Sequence, residues 1–339
     1  MNTKVMNALV YTATREMSYR KEPVPQPREG DVRVKIVASA ICGSDMHAYH
    51  GKDSRRVAPL ILGHEVSGVV MDGKYRGQLM VINPLMTCGQ CRDCLAGRSN
   101  LCQQRELIGM YLPGAFADQV AISERNLLPV PAGMNPVHAS ITEPTATALH
   151  AVALVERVLT RPLSEARVLV IGGGAIGLLA ALILKAKGCV AIDLAETNAL
   201  RRHNIEQQGA VKCFDPITDG LPAQDSYDVV FDCVGAGVTR LSACSAVRPG
   251  GIISHIGLQD TNTGLDIRKI TLQEITLLGN YCYSKADMLA AIDMLHLGQL
   301  GNLNWIDVRP LSSGARAFDD LHCGNVGAAK IVLQPDSLY

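Results

Sequence analysis

The run Arg167-Val-Leu-Val-Ile171 passes without a break into Gly172-Gly-Gly174-Ala175-Ile176-Gly177 and then into the apolar, helix-length run Leu178–Lys187. An apolar strand, a glycine turn and an apolar helix in that order place the turn at the carboxyl edge of a parallel sheet. Gly172 permits the tight turn, Gly174 lets backbone amides approach a pyrophosphate, and Gly177 lets helix and strand pack closely. Ala175 and Ile176 open the helix, whose N-terminus offers partial positive charge to phosphates.

Around this motif, strand-like and helix-length runs alternate: Ala175–Lys187, Val190–Leu194, Thr197–Gln208, Asp228–Cys233 and Gly251–Ile256. That alternation predicts an α/β fold with a doubly wound parallel sheet of Rossmann type. Asp193 stands twenty-one positions beyond Gly172, at the end of the apolar run Val190–Ile192. A carboxylate there accepts hydrogen bonds from both adenosine ribose hydroxyls and repels a 2′-phosphate, so NAD is expected over NADP. Arg201 and Arg202, close by in sequence, weigh the other way.

From Val5 to about Gln119 the pattern is different: short alternating or apolar runs (Ala8–Thr12, Val32–Val37, Glu65–Met71, Leu79–Ile82) broken by Gly, Pro and Asp. Short strands at that spacing predict an antiparallel, barrel-like β domain. With 339 residues the chain exceeds a single core. The expected division is a β-barrel-like domain over 1–146, a nucleotide domain over 147–283, and a C-terminal return to the first domain over 284–339. The return begins with a predicted helix, Lys285–Leu297, and ends in the apolar run Ala329–Leu333.

Four of the eleven cysteines, Cys88, Cys91, Cys94 and Cys102, fall within fifteen positions. Two tight CxxC steps and a fourth sulfur one loop later suit tetrahedral zinc. Four protein sulfurs leave no place for substrate, which makes such a zinc structural. Four thiolates also suit an iron–sulfur cluster.

Basic and acidic side chains cancel at 32 each, with no long single-sign run, which argues against nucleic-acid and membrane-surface partners. No uninterrupted apolar run reaches about 18 residues, and Met1–Arg15 lacks the apolar core of a secretory leader. The expected setting is the cytoplasm, and the expected partners are a small-molecule substrate and copies of the chain itself.

Upstream lie Ile41-Cys42-Gly-Ser44-Asp45-Met-His47 and Leu62-Gly-His64-Glu65, and later Thr142-Glu143-Pro144. Together with the four-cysteine set and the Gly172–Gly177 turn, these resemble the zinc-containing medium-chain alcohol dehydrogenase family over essentially the whole chain. The likeness is greatest to its polyol, sugar-acid and threonine branches. The resemblance implies a GroES-like catalytic domain and a catalytic zinc in the cleft, held by Cys42, His64 and an acidic third ligand, Glu65 or Glu143. It implies that this open zinc lowers the pKa of a substrate hydroxyl, with hydride passing to NAD. Ser44 becomes the first proton relay and His47 the outer one, and Asp45 a support for the metal site. Family members are homodimers or homotetramers.

Cys282 replaces an arginine that sorbitol-type relatives carry before their tyrosine, which weakens a sorbitol assignment. The short Val66–Val81 segment predicts a tight turn at Asp72-Gly73. With four Phe and one Trp in the chain, a hydroxylated substrate is favoured over a bulky apolar alcohol, and Tyr49, Tyr111, Phe116 and Glu143 are expected to line the pocket. A threonine or simple-alcohol dehydrogenase is the alternative within the family, and a zinc- or nucleotide-binding protein without turnover the alternative outside it.

Overall fold

The computed structural model describes residues 4–207, 209, 211–220, 224–260 and 263–338; Met1–Thr3 of the expected leaderless start and Gln208 of the predicted helix lie outside them. The six parallel strands of the nucleotide domain run in the order Lys212–Phe214, Ala191–Ala195, Arg167–Ile171, Tyr227–Asp232, Val247–His255 and Thr276–Gly279. Strand order reverses between Arg167–Ile171 and Tyr227–Asp232, which leaves a crevice at their carboxyl ends.

Val168–Val170 and Tyr227–Phe231 are almost fully buried because helices cover both sheet faces. The helix Ala175–Ala186 is apolar nearly all round, burying Leu178, Leu179, Leu182, Ile183 and Leu184 between the sheet and the helix Thr142–Glu156. Each such leucine contributes about 1.5–3 kcal/mol through burial.

Besides the short pair Leu85–Met86 with Glu106–Leu107, the other domain holds two sheets, antiparallel except where Ile306–Pro310 runs parallel to Lys330–Gln334. One joins Glu16–Pro23, Val5–Ala13 and Leu60–Ile61; the other is a seven-stranded sheet centred on Asp31–Ala40. The C-terminal strand Lys330–Gln334 pairs antiparallel with Asp31–Ala40, Val332 opposite Ala40, so the tail closes on the first domain.

The expected boundaries shift. Position 146/147 falls inside the unbroken helix Thr142–Glu156, which spans the junction. The helix Lys285–His296 packs against it, so the return to the catalytic sheet begins with Ile306–Pro310 rather than at 284. The strands Glu65–Val70 and Leu79–Ile82 are joined tightly, with Gly73 and Gly77 at φ of 76° and 82° and Asp72 paired to Arg33. No helix among the described residues is long and apolar enough to cross a membrane.

Candidate active site

Cys42 ends the strand-to-helix connection before Gly43–Tyr49 and acts as its N-cap. Asp45 accepts from the Cys42 amide at 3.0 Å, and the Ser44 amide donates to Cys42 Sγ at 3.5 Å. An amide aimed at sulfur stabilises the thiolate form. His64 and Glu65 are sequence neighbours that a regular strand would send to opposite faces. Gly63 breaks that rule: its φ of 94° turns the chain, and His64 precedes the strand that begins at Glu65. A Cβ at Gly63 would also strike the Phe116 ring.

As a result donor atoms of Cys42, His64 and Glu65 all lie within 4.8 Å of one another. Donors so placed can close on one ion at about 2.0–2.3 Å. The surrounding charges fit a cation. Asp45 Oδ1 stands 3.5 Å from His64 Nδ1, which orients the ring as a supporting carboxylate does behind a metal-bound histidine. Burial opposes charge on His64, yet Asp45 and Cys42 together hold its pKa well above the usual value. Glu65 Oε1 accepts from Lys330 Nζ at 2.8 Å, while its Oε2 is buried without a hydrogen-bond partner among the described residues and free to coordinate.

Glu143, near the start of the helix Thr142–Glu156, lies outside that three-donor group. Burial pushes its carboxyl up to about 7, His64 opposing the rise and Glu65 adding to it. Beside it are Cys282 and the buried Tyr283, brought there by a turn in which Cys282 takes a φ of 50°. Ser44 Oγ is 3.5 Å from His64 Nε2. His47 is half-buried, and burial lowers its pKa despite the facing Asp53.

The nucleotide turn opens toward these donors. Gly172 has a φ of 98°, and a Cβ on Gly177 would sit 1.8 Å from Gly172 O, so neither tolerates a side chain. Nothing lies within 4 Å of the Cβ position of Gly174, which leaves its amide approachable. A single crevice of about 270 Å³ is lined by Cys42, Glu65, Gly174, Ile176, Arg201 and Lys330. The glycine turn, Cys42 and Glu65 therefore border one cavity.

The structure corrects the ribose-binding acid. The strand runs on to Ala195, so Asp193 is mid-strand, opposite Leu169. Its carboxylate accepts from Tyr227 Oη at 2.7 Å and borders a separate groove that includes Lys185, Val190 and Lys212. Glu196 occupies the carboxyl edge instead, accepting from the amides of Gly173 at 2.8 Å and Asn198 at 2.7 Å and pairing with Arg201 at 3.2 Å.

The four-cysteine lobe is a separate cluster, its sulfurs again within 4.8 Å of one another. Cys88 Sγ lies 3.9 Å from Cys94 Sγ and 3.5 Å from Cys102 Sγ, close to the roughly 3.8 Å edge of a tetrahedron with zinc–sulfur bonds of about 2.3 Å. Backbone amides of Gln90 and Cys91 hold the Cys88 thiol down at about 6, favouring the thiolate. The lobe also reaches the cleft wall, since Asn100 donates to Tyr281 O at 2.8 Å and Arg105 stacks on the Tyr281 ring.

Two expected lining residues are not at the cleft. Tyr49 is buried against Phe318 with its hydroxyl on Asp319, and Phe116 is fully buried in the same core. Tyr111 is largely exposed. Sequence reasoning missed Lys330, Glu196 and Arg56. Lys330 left a signal as the one charge in the apolar run Ala329–Leu333, whereas Glu196 was hidden by a strand end placed too early.

Known proteins match most of the chain. The family described as "Alcohol dehydrogenase GroES-like domain" matches residues 28–132, and "Zinc-binding dehydrogenase" matches 175–296. The 2-dehydro-3-deoxy-L-galactonate 5-dehydrogenase of Pseudoalteromonas atlantica is 32% identical over 91% of this chain and 92% of its own. The L-threonine 3-dehydrogenase of Pyrococcus abyssi is 30% identical over 76% of this chain and 77% of its own. Among solved structures, a zinc-binding dehydrogenase from Sinorhizobium meliloti 1021 bound to NADP superposes with a TM-score of 0.85 at 27% identity, covering 98% of this chain and 100% of that one.

Proposed function

We propose a reaction for this chain from the family it belongs to, the zinc-binding alcohol dehydrogenases with a GroES-like domain: it oxidises a primary or secondary hydroxyl of a small polyhydroxylated substrate, a polyol, sugar or sugar acid, using NAD. The observation that carries this reading is the single crevice bordered by both Cys42 with Glu65 and the Gly174–Gly177 turn.

Cys42, His64 and Glu65 hold the catalytic zinc, with Glu143 an alternate carboxylate beside it, and Cys88, Cys91, Cys94 and Cys102 hold the structural one. When bound, zinc acidifies the substrate hydroxyl and NAD accepts the hydride. Lys330 offsets the charge of Glu65, and Asp45 keeps His64 turned with Nε2 toward the cleft. Ser44 takes the hydroxyl proton, and His47 passes it toward solvent. Gly172, Gly174, Ala175, Ile176 and Gly177 receive the pyrophosphate. Glu196, rather than Asp193, takes the adenosine ribose, and its negative charge favours NAD although Arg201 adjoins it.

The name of the Pseudoalteromonas relative supports a sugar-acid substrate. That of the Pyrococcus relative favours a second reading, oxidation of threonine at its hydroxyl. The test is NADH formation by purified protein with sugar alcohols, aldonates, threonine and short alcohols. Turnover of aldonates or polyols is expected; a preference for threonine moves the assignment to the second reading, and silence with all of them from zinc-loaded protein overturns both.

A cytoplasmic setting, where the thiolates of Cys42, Cys88, Cys91, Cys94 and Cys102 stay available to metal, is proposed with this function. A homodimer or homotetramer is proposed as well. Exposed Ile267, Leu272 and Leu277 near the edge strand Thr276–Gly279 support contact between copies, which sedimentation would measure.

A further inference from the structure

Arg56 belongs to neither ligand set, yet its side chain is wholly buried in the catalytic domain. Its Nε donates to Gly109 O at 2.9 Å, one terminal nitrogen pairs with Asp53, and the other donates to Ser44 Oγ at 3.1 Å. Asp53 is itself held by both Arg55 Nε, at 2.8 Å, and Arg55 Nη2, at 3.0 Å. A buried guanidinium is costly unless paired and fully hydrogen-bonded. Asp53 and Gly109 supply that pairing and fix the group, and the remaining arm is spent on Ser44.

We propose that Arg56 is a positioning residue that fixes the direction of proton movement through Ser44. The inference rests on the reading of Ser44 as the first proton acceptor. A serine hydroxyl has one proton and two lone pairs, whereas arginine can only donate. The Arg56 contact therefore occupies one lone pair, and the Ser44 proton cannot point back at Arg56. His64 Nε2, 3.5 Å from Ser44 Oγ, is a metal donor in the proposed reading and is turned to the ion when the site is filled, so one lone pair and one O–H remain, which is what a relay requires. The substrate O–H bond breaks as a new O–H bond forms at the free lone pair of Ser44. In the same movement the original Ser44 O–H bond breaks, and its proton goes to water or the His47 imidazole. Serine ends neutral, one proton having entered and one having left. Without Arg56 the hydroxyl can rotate and turn its own proton toward the substrate, which blocks the transfer.

The test uses the intact enzyme and the variants Arg56→Gln, Arg56→Lys, Ser44→Ala and Arg56→Gln with Ser44→Ala. Arg56→Gln is expected to lower kcat roughly tenfold, a part of the 10²–10⁴-fold typical of general acid–base catalysis. Substrate KM, NAD affinity and zinc content should stay as they are, and Arg56→Lys should recover part of the loss. In the Ser44→Ala background Arg56→Gln should cost nothing further, and the two substitutions should be non-additive in the thermal midpoint as well.

Equal losses from Arg56→Gln with and without Ser44, or loss of zinc in that variant, would overturn the proposal, as would failure of both Arg56 variants to fold. If Ser44→Ala leaves kcat unchanged, the relay reading of Ser44 falls first. If Ser44→Ala is slow and Arg56→Gln is not, only the role of Arg56 falls.

Discussion

The cysteine lobe and the cleft are built in the same domain by opposite means. The lobe draws four sulfurs from the stretch between Cys88 and Cys102 on turns and short helices, with three of the four cysteines partly exposed. The cleft gathers Cys42, His64 and Glu65 beneath a shell that includes Asp45 and Lys330, the last 265 positions from Glu65. A closed tetrahedral set needs little from the rest of the chain, because the ion itself completes it. An open set has three protein donors instead of four, and the domain must itself stabilise the buried charges that surround them.

This contrast predicts an order of metal loss. A mild chelator should remove the cleft metal first and abolish turnover while the thermal midpoint changes little. The lobe metal should leave later, with a marked fall in the midpoint, because its binding energy is local folding energy. Simultaneous loss of activity and midpoint would erase the distinction.

Lys330→Met sharpens the comparison from the cleft side. Removing one partner of a buried pair typically costs about 3–5 kcal/mol, and a disturbed supporting group lowers metal affinity about 10–100-fold. Denaturant unfolding and metal titration should both register it, with the lobe metal retained.

The smallest effect concerns the nucleotide edge. Glu196→Gln should raise the KM for NAD about tenfold, equivalent to about 1.4 kcal/mol, and narrow the preference over NADP. Asp193→Asn should leave that KM alone and act only on stability through Tyr227. The reverse pattern would restore Asp193 to the cofactor.

The same contrast explains what could be read in advance. The lobe and the glycine turn were legible because each is a contiguous motif whose spacing carries its geometry. Cys42, His64 and Glu65 were recognisable by resemblance, but their convergence depends on Gly63 turning the chain. Arg56 left no sign of a site role and Lys330 only that of a lone charge in an apolar run, since the tertiary fold alone carries them to Ser44 and Glu65. Asp193 was misplaced because the apolar run was taken to end at the aspartate, whereas Leu194 and Ala195 beyond it are apolar and buried and carry the strand on to Ala195. Tyr49 and Phe116 were taken for lining because aromatic character alone does not distinguish a pocket from the core behind it.

The most direct test is zinc content per chain in the wild-type enzyme and in Cys42→Ala, measured alongside NADH formation. Two zincs falling to one, with turnover lost and the fold retained, is the predicted result. A wild-type chain holding only the lobe metal, or a Cys42→Ala protein that keeps both its zincs and its activity, would contradict an open metal site in the nucleotide crevice.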